Sequence, residues 1–256
     1  MDKRLIAFER LLNIMDDLRA KCPWDQKQTF ESLRHLTIEE TYELSDAILK
    51  GDKNEIKKEI GDILLHLIFY SKLGSETNDF DITDVLNSLC EKMIFRHPHI
   101  YGDVKVINAD DVKRNWEQLK QKEGNKGALS GVPNSMPSLL KALRIQDKAK
   151  AIGFDWEDPK QVWEKVQEEL NELQIEVKAN HQKNLETEFG DVFFAFINYA
   201  RFLNVNPEDA LEKTNKKFMA RFNYMEQKII SQGKALADCS LEEMDIFWNE
   251  AKKLEK

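Results

Sequence analysis

Ten acidic residues of this 256-residue chain fall into two sets with the same internal spacing. Glu39, Glu40, Glu43, Glu59 and Asp62 form one, Glu168, Glu169, Glu172, Glu188 and Asp191 the other, and each residue lies 129 positions from its counterpart. Glu40 with Glu43 and Glu59 with Asp62 are three residues apart, which on a helix puts each pair on one face. Gly51 lies midway between Glu43 and Glu59 and between Glu40 and Asp62, and Asn180 does the same for Glu172 with Glu188 and Glu169 with Asp191. A short turn at each midpoint would make the flanking helices antiparallel neighbours and bring the paired acids level. Carboxylates gathered in this way repel and raise one another's pKa unless a cation neutralises them. Hard oxygen donors of this kind suit Mg²⁺, with Mn²⁺ as a substitute. In a chain with 46 Asp and Glu, an isolated acidic pair at this spacing is more often a solvated face. The apolar runs "LLHLIFY" and "VFFAFINY" that follow Asp62 and Asp191 put these acids beside a core, where solvation alone explains them poorly.

Cationic partners for a phosphate group accompany the second set. Lys165 precedes Glu169 by one helical turn, and "NKKFMARF" supplies Asn215, Lys217 and Arg221, the last two sharing a helix face. Lys92 and Arg96 in "EKMIFRHPH" occupy the matching places of the first set. Together with a metal cluster, these groups would make a triphosphate site with the cation on one side and positive donors on the other. Phe154 and Trp156 in "GFDW" and Trp248 in "IFWNEAK" are candidates for stacking on a nucleobase, although aromatics at helical spacing more commonly build core. Trp248 is the better candidate of the three. His97 and His99 flank a proline without any further His or Cys pattern and read as structural, and His66 reads as core.

These groups would be positioned by a duplicated helical unit. "EIGDILLHLIFYSK" from Glu59 reads against "EFGDVFFAFINYAR" from Glu188, and after Tyr70 the offset falls to 125, so that Asp84, Leu86 and Arg96 meet Asp209, Leu211 and Arg221. Gly51 is expected to stop the first helix of copy one. In copy two, Asp158 is a candidate N-cap with Pro159 in the first turn. Between the copies, "EGNKGALSGVPNSMP" has the composition of a linker. The expected organisation is all-α, with two duplicated helical-bundle domains at residues 1–124 and 138–256 joined by a linker at 125–137.

Composition narrows the classes of function. A net charge of −8 argues against a nucleic-acid partner, because such affinity rests on Lys and Arg at phosphates. Three widely spaced cysteines suggest neither disulfides nor zinc, and no stretch reads as a signal peptide or membrane span; a cytoplasmic setting fits. The P-loop, H-E-x-x-H and Glu-x-x-His patterns are absent from the sequence. The non-enzymatic alternative is a duplicated helical scaffold that binds a protein through apolar helix faces.

The segments "CPWDQKQTF", "IEETYEL", "EIGDILL", "RHPHIYGD", "IGFDW", "EELNEL" and "EFGDVFF" closely resemble the MazG family of the all-α NTP pyrophosphatase superfamily, and its pattern E-E-x-x-E followed by E-x-x-D occurs twice. The resemblance implies Mg²⁺-dependent hydrolysis of a nucleoside triphosphate to the monophosphate and pyrophosphate, by a homodimer. It further implies that Glu169, Glu172, Glu188 and Asp191 bind Mg²⁺, that Lys165, Lys217, Arg221 and Trp248 hold the nucleotide, and that Glu168 or Glu169 accepts a proton. Catalysis is credited to the carboxy-terminal domain in that family, leaving Glu40, Glu43, Glu59 and Asp62 as a second possible metal site.

Overall fold

The computed structural model describes residues 2–122 and 127–254. Glu123–Lys126, where the linker reading begins, lie outside the described residues. All regular structure among the described residues is helical, as the sequence leads one to expect. The chain forms two compact units, residues 1–106 and 107–256.

In the first unit, α1 (Lys3–Lys21) leads through a 3-10 turn at Asp25–Lys27 to α2 (Phe30–Lys50), α3 (Lys53–Glu76), α4 (Ile82–Arg96) and the short α5 (Pro98–Tyr101). Thr29 and Ser32 close a capping box at the start of α2. At its end Gly51 takes the left-handed conformation, φ 71°, and Asp52 caps α3 by accepting from the backbone N–H groups of Asn54 and Glu55. The two-residue turn folds α3 back along α2. α1 packs on α3 over a core of Met15, Leu33, Ile68, Phe69 and Leu73. Arg19 fastens α1 by donating to the Glu76 carboxylate at 2.7 Å and to the backbone carbonyls of Asp25 and Gln28.

In the second unit, α6 (Ala109–Lys122) packs on α7 (Ser138–Ala151), and α8 (Pro159–Ala179) pairs with α9 (Gln182–Phe202). α10 (Pro207–Ser231) lies against α7 and α9 and carries α11 (Leu241–Leu254). Buried apolar residues include Val162, Val166, Ile197, Met225 and Ile229. Asp158 caps α8 in a capping box with Gln161, Pro159 follows, and Asn180 (φ 54°) ends the helix in the left-handed region, as Gly51 does in copy one. α6, which packs on α7, belongs to the second unit.

The duplication holds at the level of whole helices. α2 and α8 are both 21 residues long and begin 129 positions apart. α3 has 24 residues against 21 in α9, and α4 begins 125 positions before α10, so the four-residue difference lies at the far end of α3. There Gly74 meets the Phe80 ring and carbonyl closely enough that a Cβ would stand 2.7 Å from Phe80 Cζ. Pro98 cannot continue α4 in helical geometry, whereas α10 runs on to Ser231.

Candidate metal and nucleotide site

The paired helices do what the spacing of the acids requires. Carboxylate oxygens of Glu169 and Glu172 from α8 and Glu188 from α9 lie within 4.8 Å of one another, and those of Glu40, Glu43 and Glu59 do the same on α2 and α3. Asp191 and Asp62 stand outside these triads. Both still act electrostatically: Asp191 helps hold the Glu188 carboxyl above its ordinary range, after burial and Glu172, and Asp62 acts likewise on Glu40, after burial alone.

Burial makes this charge costly. Glu59 is 2% exposed and Glu169 7%. Each has one lysine: Lys58 Nζ lies 2.8 Å from Glu59, and Lys165 Nζ lies 2.7 Å from Glu169 and 2.8 Å from Glu168. These contacts raise both lysines above their ordinary value. Glu59 Oε2 is buried with no hydrogen-bond partner, an arrangement a bound cation would relieve. The donors are all carboxylate oxygens, the set that suits a hard divalent ion. His66, one turn beyond Asp62, is buried as expected and its pKa is lowered by that burial.

α10 brings part of the nucleotide set together. The Phe218 and Trp248 rings lie 5.0 Å apart, and the Arg221 guanidinium stands 5.8 Å from the centre of the half-buried Trp248 ring. Lys217 is exposed one turn before Arg221, and Asn215 donates a long 3.4 Å hydrogen bond to Glu212. Phe154 and Trp156 are not drawn into this group: both are exposed on the loop after α7, and neither has a ring contact among the described residues. Asp155 between them is tied to Arg201 of α9 at 2.9 Å.

A model of the MazG nucleotide pyrophosphohydrolase domain matches residues 28–101 and again residues 157–225. The chain belongs to the MazG family. It is 42% identical over 252 residues to the nucleoside triphosphate pyrophosphohydrolase/pyrophosphatase MazG of Thermotoga maritima, with 96% of each chain covered. It is 38% identical over 257 residues to the nucleoside triphosphate pyrophosphohydrolase of Escherichia coli, covering 97% of this chain and 98% of that one. An uncharacterized protein of Bacillus subtilis, YabN, is 46% identical over 255 residues, and the match spans 52% of its length. Each matched MazG domain contains one acidic triad; Trp248 lies beyond the second match.

Sequence reasoning missed Lys58 and Phe218. Comparing the MazG copies where they differ finds the first, since Lys58 faces Thr187 across the repeat, just as Lys165 faces Leu36. Phe218 lies one turn before Arg221 and Phe222, and its ring also stacks on that of Phe222. The repeat also runs further than the motifs show. α6 and α11 have 14 residues each and align at an offset of 132, which sets Trp116 against Trp248.

Proposed function

We propose that this chain hydrolyses nucleoside triphosphates to the monophosphate and pyrophosphate, with Mg²⁺ as the metal and the second copy as the working site. The observation that carries the reading is the triad of Glu169, Glu172 and Glu188 on paired helices, with oxygens within 4.8 Å, Glu169 buried and a lysine at its edge. The relatives' names give the reaction, and copy two holds the fuller set of phosphate and base partners.

Bound Mg²⁺ would polarise the α,β-phosphate bridge and lower the pKa of an attacking water. Glu169, Glu172 and Glu188 would hold the ion, with Asp191 one turn along to orient or join them. Lys165, Lys217 and Arg221 would neutralise the phosphates, Asn215 would hydrogen-bond to them, and Trp248 would stack on the base. Glu168, exposed beside the triad, or Glu169 would accept the proton of the water. Phe154 and Trp156 would approach the nucleotide only through movement of their loop. Copy one, with Glu40, Glu43, Glu59 and Asp62, is a second metal site.

The active form in this reading is a homodimer. α9 leaves Phe189, Phe193 and Phe196 exposed in one stripe, and Ile60, Leu64 and Leu67 of α3 stand exposed at the same places of the repeat. Apolar stripes of this kind mark an association surface, and a second copy would cover them. No described helix is long and apolar enough to cross a membrane, and a cytoplasmic setting belongs to the same reading.

The test measures pyrophosphate and orthophosphate released from a panel of nucleoside triphosphates with Mg²⁺, comparing wild type, Glu172→Gln and Glu43→Gln. Pyrophosphate lost only in Glu172→Gln is expected. Loss only in Glu43→Gln moves the chemistry to copy one. No pyrophosphate from any nucleotide, with folded protein, leaves the duplicated scaffold as the better reading.

A further inference from the structure

The two copies neutralise their acids from opposite helices. In copy two, Lys165 on α8 binds Glu168 and Glu169 of its own helix, and Glu188 across the pair is the acid left with a raised pKa. In copy one, Leu36 occupies the place of Lys165, the cation is Lys58 beside Glu59 on α3, and the acid left raised is Glu40 on α2. Each cluster thus has an ammonium at its edge that contacts a triad carboxylate and an exposed one: Lys165 meets Glu169 and Glu168 at 2.7 and 2.8 Å, whereas Lys58 meets Glu59 at 2.8 Å and Glu55 only at 3.9 Å.

A divalent ion entering the triad would bind the Glu169 carboxylate, whose Oε1 Lys165 now contacts at 2.7 Å. Two cations cannot sit on one carboxylate at close range without repulsion, and the compact, strongly hydrated ammonium on a flexible stem is the one that can move. Lys165 lies one turn toward the amino terminus from the triad, so its displaced head stays within a side-chain length of anything the metal binds. We propose that Lys165 is a place-holding counter-ion: it occupies the cation's position in the metal-free protein, is displaced when the metal enters, and then pairs with the polyphosphate that the metal brings. Metal and nucleotide binding are thereby coupled through one side chain of α8, at a place that Leu36 takes in copy one. This inference rests on copy two being the substrate site.

The experiment uses full-length protein carrying Glu43→Gln to silence copy one, with and without Lys165→Met. Free Mn²⁺ is followed by electron paramagnetic resonance, and α,β-methylene ATP binding by calorimetry in the presence and absence of Mn²⁺. Lys165→Met is expected to bind Mn²⁺ alone at least threefold more tightly. It is expected to bind the analogue at least tenfold more weakly when Mn²⁺ is present and within about twofold of the parent without it. Unchanged or weaker Mn²⁺ binding overturns the proposal, because the lysine and the metal then do not compete. An equal loss of analogue affinity with and without Mn²⁺ also overturns it, because the lysine then serves the phosphates whether or not metal is bound. Adding Glu172→Gln separates the two levels: if Mn²⁺ binding survives that change, copy two is not the metal site and the underlying reading fails.

Discussion

Removing the Asp155 carboxylate tests how the second unit secures the segment leading into α8. Arg201 and Asp155 are 9% and 17% exposed, so this ion pair is shielded from water. Breaking a buried pair by deleting one partner typically costs about 3–5 kcal/mol. Here Arg201 would keep two hydrogen bonds to Asn198 Oδ1, at 3.1 and 2.7 Å, and its contact with the Phe202 ring, which reduces the loss to about 2–3 kcal/mol. For a unit of this size, each kcal/mol moves the midpoint by about 2–4 °C, so Asp155→Ala should lower the melting temperature by about 5–10 °C. The repeat supplies a control, because Lys72 occupies the place of Arg201 in copy one. Its pair with Asp16 is 29% and 60% exposed, and Asp16→Ala should cost within about 0.5 kcal/mol. Both variants can be followed by calorimetry in EDTA, with each unit's transition assigned separately. A shift below about 2 °C for Asp155→Ala, or equal shifts for the two variants, would refute the argument from burial.

The pH dependence of the metal-free protein reports on the acidic cluster. Glu188 has a folded-state pKa above its unfolded value, so its contribution to stability is fully present below the unfolded value and is lost as pH rises through the folded one. Metal-free Glu188→Gln should therefore melt higher than wild type at about pH 8, with the gap narrowing toward about pH 5. A gap that widens on acidification, in thermal scans with EDTA, contradicts the assignment. Phe193→Lys places a charge in the exposed stripe of α9; sedimentation equilibrium should show at least a tenfold weaker dimer with unchanged helix content, and an unaltered association constant would remove that stripe from the interface.

Much of the site was readable from the chain because it depends on counting. Equal distances from Gly51 and Asn180 fix which acids face one another once the turn is tight, and both residues supply the left-handed conformation that the turn needs. Counting along one helix does not say which side chains lean into the gap between two, so the sequence expects four carboxylates in each cluster, where the structure gathers three. Lys58 was harder to place for another reason. A motif emphasises identical positions, whereas Lys58 lies where the copies differ, with Thr187 in its place. Phe154 and Trp156 illustrate a third limit: their aromatic character suggests stacking, but the segment is held through Asp155, which leaves both rings facing outward.

The two ends of the α3 and α9 helices differ in their tolerance of length change. The offset between copies is unchanged across the Gly51 and Asn180 turns, whereas the extra residues of copy one are accommodated at the opposite end, around Gly74–Asp81. One residue inserted after Gly51 or Asn180 would rotate the following helix by about 100° and slide it by about 1.5 Å relative to its partner, dispersing the facing glutamates. Surface connections usually accept insertions readily. Here the tight turn works as a gauge of length, so a peptide tag, a permuted terminus or a natural insertion belongs at the far end of the hairpin, where the chain already varies.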